Sequence, residues 1–363
     1  MVYLDYSATT PISKEALEAW VDTEQNVFAN ANSSHALGQK AQAFNRANIE
    51  KIAQFLHIEP QEFILTSSAV EANNFAIKGL AAKNPLKKHV ITSEFEHASV
   101  VAALASQDLE LDFVSLTDQG LYDLSSLEKY VREDTLMVSL IAVDSETGIR
   151  QPVEEIAKWC RQHHVIFHCD ATQALGKTII DISNMDLVTF SAHKIYGPKG
   201  AGALIKKKNI KLTPLLDGGH SITPFRASTP ANALLASFAK AIEMAFLEFD
   251  EHLTKVQAIH DVCVQQLKQN PKVQFNSNEF SIPHILNISI DHAKPEEDLI
   301  KLSDKGFYLS SKSACSGQEE FSKSVYALTQ NKERAKTSFR ISLSHLTSFE
   351  EIDAFVNIIK EIF

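Results

Sequence analysis

Cysteine is scarce: Cys160, Cys169, Cys263 and Cys315 are spread over 363 residues with no CxxC spacing. That scarcity excludes a disulfide framework and the common zinc pattern, and it predicts reduced thiols. Positive charge is also short, with 35 Lys and Arg against 45 Asp and Glu and a formal net charge of -10. Direct binding to nucleic acid or to an anionic membrane is therefore not expected. The Lys206–Lys208 run is too short to change this and reads as a solvated turn. No apolar run approaches the ~20 residues of a membrane span. The N-terminal Met1-Val2-Tyr3-Leu4-Asp5 lacks a basic stretch leading into an apolar one, so a cytoplasmic location is expected. Only 12 Gly and 11 Pro rule out a fibrous or low-complexity chain.

What is present is an ordinary globular composition, 44% hydrophobic and 22% charged, in a chain long enough to need two cores. Short β-branched runs recur at Phe63–Thr66, His89–Thr92, Phe113–Leu116, Leu136–Val143, Val165–Cys169, Leu187–Ser191 and Ala201–Ile205. Helical periodicity separates several of them, as in Ala69–Ala82 and Val153–His163. The alternation predicts an α/β fold with a mostly parallel central sheet flanked by helices. A long periodic segment from Asn232 to about Gln269 predicts a helix leading into a smaller α+β lobe with strands at Ile285–Ile290 and near Phe339–Leu343. The expected division is a large domain at 15–250 and a small domain made of 1–14 and 251–363.

Three local patterns carry chemistry. Ser191-Ala192-His193-Lys194-Ile195-Tyr196-Gly197 follows a predicted strand, and a lysine at a strand end can be held neutral, as Schiff-base formation requires. His168-Cys169-Asp170-Ala171-Thr172-Gln173 ends another strand on a carboxylate that needs a partner, and such an acid could pair with a pyridine nitrogen. Phe63-Ile64-Leu65-Thr66-Ser67-Ser68-Ala69-Val70-Glu71 reads as strand, small-residue turn and helix, the arrangement that offers amides to a phosphate. Cys315 differs from the other cysteines because Ser310-Ser311-Lys312-Ser313-Ala314-Cys315-Ser316-Gly317 is small, polar and loop-like.

These segments resemble the group I cysteine desulfurases of the IscS and NifS type. So do Tyr3-Leu4-Asp5-Tyr6-Ser7-Ala8-Thr9-Thr10-Pro11, Glu96-His97 and Ser338-Phe339-Arg340-Ile341-Ser342-Leu343. The resemblance runs in family order along the whole chain. It implies a fold type I transferase dependent on pyridoxal 5'-phosphate, acting on L-cysteine as a homodimer with shared active sites. In that family Lys194 would carry the cofactor, Asp170 would face the pyridine nitrogen, and Gln173 would lie near the phenolic oxygen. Ser191, His193, Ala69 and Val70 would hold the phosphate, with Ser145 near the cofactor and Thr229 reaching the neighbouring subunit's site. His97 would stack on the ring and move protons. Arg340 would clamp the substrate carboxylate, with Asn30 and Ala8 on the substrate side. Cys315, 25 residues before Arg340, would take the sulfur as a persulfide and pass it to an acceptor protein. Iron-sulfur cluster scaffolds and tRNA-thiolation enzymes are the acceptor classes implied, and the end at Phe363 favours the second.

The pattern is thinned in places. Val70 stands where the family has threonine, Ser145 where it has asparagine, and Arg226-Ala227-Ser228-Thr229 where it has Arg-Ser-Gly-Thr. These changes leave open a selenocysteine lyase or another lyase of fold type I, and a degenerate, non-catalytic member.

Overall fold

The computed structural model describes residues 1–219, 221–312 and 320–363. The strands are β1 (Val2–Tyr3), β2 (Phe63–Thr66), β3 (His89–Thr92), β4 (Glu110–Phe113), β5 (Thr135–Ile141) and β6 (Ile166–Asp170), then β7 (Leu187–Ser191), β8 (Gly202–Lys206), β9 (Val273–Phe275), β10 (Ile285–Ile290), β11 (Phe307–Tyr308) and β12 (Ser338–Ser342). The helices are α1 (Lys14–Asn26), α2 (Ala36–Leu56), α3 (Ala69–Lys83), α4 (Ala98–Ala105), α5 (Ser125–Tyr130) and α6 (Val153–Gln162), then α7 (Asn232–Leu247), α8 (Phe249–Leu267), α9 (Pro295–Asp304), α10 (Lys323–Thr329), α11 (Lys332–Lys336) and α12 (Phe349–Ile362).

Among the described residues the main sheet has seven strands in the order β2-β8-β7-β6-β5-β3-β4. Every pair is parallel except those of β8, which runs antiparallel to β2 and β7. Every residue of β5 is buried, as expected of an apolar strand covered on both faces. The strand expected at Phe113–Leu116 lies instead at Glu110–Phe113, on the sheet edge. Its acids are accommodated there because Arg132 reaches Glu110 (2.8 Å) and His89 reaches Asp112 (3.0 Å). Lys206 also departs from expectation: it is 4% exposed at the end of β8 and donates to the Ile210 carbonyl (3.0 Å), so it is no solvated turn residue.

The helix expected from Asn232 to about Gln269 is broken at Glu248, where ψ opens to 9° between α7 and α8. After the break α8 joins a separate apolar cluster containing Val256, Ile259, Leu286, Phe339 and Phe355, which covers the antiparallel sheet β12-β10-β9. The N-terminal strand β1 pairs with β11, which brings Leu4 into that same cluster. The following segment crosses back to the main sheet, where Thr10 N-H and its hydroxyl both donate to the His193 carbonyl (3.0 Å each). Helices α1 and α2, unmarked in the sequence, pack along α7. Residues from both ends of the chain thus meet beyond the carboxyl ends of β6 and β7, where ligands of open α/β sheets bind.

Candidate active site

One cavity of about 160 Å³ collects most of the expected residues: Ala8, Ala69, Val70, His97, Ser145, Asp170, Gln173, Ser191, His193, Lys194 and Arg340 all line it. Lys194 sits on the turn after β7, and its Nζ donates to the carbonyls of Ser7 and Ala8 (2.8 Å for the latter). Asp170, at the end of β6, is 2% exposed and accepts from Asn73 Nδ2 (2.8 Å) and from Thr172 N-H (3.0 Å). Ser191 Oγ accepts the Ala69 N-H (2.7 Å), which draws the first turn of α3 against the end of β7. The approach depends on Gly202 of β8, because a Cβ there would lie 2.5 Å from the Ser68 carbonyl carbon.

The histidines are set by their surroundings. His97 caps α4, its Nδ1 accepting from Ser99 N-H (3.1 Å), which leaves the proton of the neutral ring on Nε2. Burial pulls its pKa down, Asp170 opposes that and Lys194 reinforces it. Burial, followed by the Lys194, Lys199 and Lys177 charges, pulls His193 down to about 4, so it stands neutral beside Thr9.

Arg340, on β12, is 2% exposed and already engaged: it donates to Asp5 Oδ1 (2.7 Å) and to the Ser145 carbonyl (3.1 Å), while its buried Nε has no partner. Asp5 also accepts from Ser310 Oγ (2.9 Å). On the far side of residues 313–319, Ser324 Oγ donates to Asp144 (2.8 Å) and Ser322 Oγ to Glu146. Cys315 lies outside the described residues. Thr229 and Asn30 are exposed and do not line this cavity.

Several supporting residues were missed. Asn73 is fully buried and takes the Thr189 hydroxyl on its Oδ1 while its Nδ2 bonds Asp170 and Ser99, so one amide orients both the acid and the cap of His97. Its only signal was a polar residue on the apolar face of a helix. Asp5 and Ile141 were likewise unmarked.

Glu96, beside His97, is buried and accepts from Ser93 Oγ (2.8 Å) and Ile141 N-H (2.7 Å), with Oε2 unpartnered. Burial, with Asp170 and Asp144 adding to it, pushes its carboxyl up to about 8. A folded-state pKa above the unfolded one favours folding at low pH and is lost as pH rises through it. We predict that wild-type stability falls between about pH 4.5 and pH 8 from this group, and that Glu96→Gln removes that part of the slope. Urea unfolding of both proteins at pH 5 and pH 8.5 checks this, and parallel slopes would contradict it.

The fold is that of an aminotransferase: the aminotransferase class-V family model matches residues 2–355. The mitochondrial cysteine desulfurase of Saccharomyces cerevisiae is 34% identical over 371 residues, covering 99% of this chain and 74% of that one. Cysteine desulfurase IscS of Pectobacterium carotovorum is 35% identical over 373 residues, covering 99% and 92%. A solved NifS-like protein superposes with a TM-score of 0.93 at 29% identity, covering 99% of this chain and 98% of that one. The chain belongs to the cysteine desulfurases within the class-V family.

The family depends on pyridoxal 5'-phosphate, and the cavity fits that group. A buried carboxylate held by neutral donors, an amine in the same cavity, and an unpartnered buried hydroxyl on Thr172 match its ring nitrogen, aldehyde and oxygen substituents. Val70 is the exception, an apolar side chain, 48% exposed, in the first turn of α3. Val70→Thr is expected to slow cofactor loss on dialysis by roughly two- to tenfold, the value of one neutral hydrogen bond. Equal retention would mean that another group already supplies the contact.

Proposed function

We propose that the chain converts L-cysteine to L-alanine and keeps the sulfur as a persulfide on Cys315. The observation that carries this reading is the convergence of Lys194, Asp170, His97 and Arg340 on one cavity in a member of this family. Bound pyridoxal phosphate supplies an electron sink for the substrate α-carbon. Asp170 would hold the ring nitrogen, Lys194 would present its amine to the aldehyde, and Ser191, His193 and the Ala69–Val70 turn would hold the phosphate, with Gln173 toward the phenolic oxygen and Ser145 near the cofactor. Arg340 would receive the substrate carboxylate, with Ala8 alongside.

Lys194 would take the α-proton, and His97, with its Nδ1 accepting from Ser99 N-H, would offer the proton on Nε2. The Cys315 thiolate attacks the substrate sulfur: the carbon-sulfur bond breaks, its electron pair stays on carbon and is protonated there, and a sulfur-sulfur bond forms on Cys315. In this reading Thr229, exposed and outside the cavity, reaches the neighbouring subunit's site of a homodimer, and Asn30 lies on the substrate side. Domains at 15–250 and at 1–14 with 251–363 belong to the same reading, with the cofactor on the larger one. Among the described residues no helix is long and apolar enough to cross a membrane. A cytoplasmic enzyme that hands sulfur to an iron-sulfur scaffold or a tRNA-thiolation enzyme is the cellular form we propose.

The test is a timed assay of purified protein with pyridoxal phosphate, L-cysteine and reductant. Equal amounts of alanine and sulfide support the reading, and sulfide without alanine replaces it with a β-eliminating lyase.

A further inference from the structure

A second cavity, of about 320 Å³, shares Ser7 and Lys194 with the first but extends to the break between α7 and α8. Its volume is at the small end of ligand sites, and most of its wall is apolar: Pro11, Ile12, Met244, Leu343 and Leu346 contribute. Two buried basic groups stand among them. Lys177, 7% exposed, donates to Gln173 Oε1 (2.6 Å), a neutral acceptor. His284, 8% exposed, has a buried Nδ1 with no partner.

A buried amine with unused hydrogens and an orphaned ring nitrogen on one cavity are each costly unless a partner arrives. The acids lining the cavity do not meet that need: Glu15 is exposed, and Glu248 faces His252 (3.4 Å). His252 in turn stacks on His345 at 3.6 Å. Lys177 Nζ has hydrogens beyond the one given to Gln173 Oε1, and the His284 tautomer protonated on Nδ1 adds a second donor, so the pair suits a ligand with two acceptor oxygens.

We propose that this cavity binds a small monocarboxylic acid with a short apolar body, its carboxylate on Lys177 Nζ and His284 Nδ1 and its carbons against Ile12, Met244 and Leu343. Both groups are held toward their neutral forms. Burial, then the Lys194 and Arg340 charges, hold Lys177 well below the ordinary lysine range. Burial, then Lys177 and the neighbouring histidines, do the same to His284. A carboxylate arriving there restores the charged forms and competes with Gln173 Oε1 for Lys177 Nζ. Occupancy of the second cavity is thereby tied to a side chain that lines the first.

The test uses isobutyrate as the probe and the cofactor-loaded enzyme, read by isothermal titration. Wild type should bind saturably. Lys177→Met and His284→Leu should each weaken binding about tenfold or more, the value of a hydrogen bond to a charged group. Ala245→Phe, which adds bulk to the cavity wall from α7, should abolish binding even if one of the polar variants folds poorly. Arg340→Leu, which removes one of the charges that hold Lys177 down, should not weaken binding. No saturable binding to wild type, or loss in Arg340→Leu with Ala245→Phe unaffected, overturns the proposal. Inorganic phosphate binding in place of isobutyrate overturns it as well, because the apolar wall would then have no role.

Discussion

Lys194→Ala protein is expected to be colourless and to lose at least roughly 10³-fold of its activity, at the upper end of what a single proton-transferring group supplies. The lysine stands at the end of β7 with its amine held by two carbonyls of the N-terminal segment, beside a buried carboxylate in the same cavity. No methyl group can replace that amine either as an attachment point or as a base. A competing amine does exist nearby, since Lys177 is buried and its pKa is lowered. The measurement is therefore the stoichiometry of borohydride-reducible cofactor, followed by mass mapping of the adduct. A full adduct on Lys177 in the Lys194→Ala protein would move the chemistry to the second cavity. A full adduct elsewhere would sink the assignment of Lys194 outright.

The second large effect separates binding from sulfur transfer. Cys315→Ser should still bind L-cysteine and shift the cofactor spectrum, yet release no sulfur, because a hydroxyl is neither ionised nor polarisable near neutral pH. Arg340→Ala should do the reverse, weakening cysteine binding roughly 10- to 150-fold for a lost charge-assisted contact. The structure adds a cost for Arg340→Ala that the sequence does not show, since it leaves Asp5 without its cation. Arg340→Lys keeps the charge and loses the planar fork, so it should recover stability better than it recovers KM. Wild-type alanine production by Cys315→Ser with reductant present would make Cys315 a bystander.

Lys194, Asp170 and the α3 turn were legible because each lies in a contiguous strand-to-turn segment where composition and position agree. Asn73 and Asp5 were not, because their role is defined by partners far along the chain, Asp170 and Arg340 respectively. The edge position of β4 was lost for a related reason: Glu110 and Asp112 look unlike strand residues until Arg132 and His89 are placed beside them. The break at Glu248 had no Gly or Pro to mark it, and apolar periodicity runs straight through it because α7 and α8 each bury one face in a different cluster. Lys206 was misread because a long aliphatic stem can be buried while its amine finds carbonyls.

The pairing of Asp5 with Arg340 joins the two ends of the chain across the site. Closing so long a loop is slow relative to forming β-α neighbours, since its entropy is lost before any contact rewards it. The contacts of Lys194 with Ser7 and Ala8 and of Arg340 with Asp5 need both ends of the chain in place. A chain clipped at either end therefore lacks part of the cavity that gathers Lys194 and Arg340.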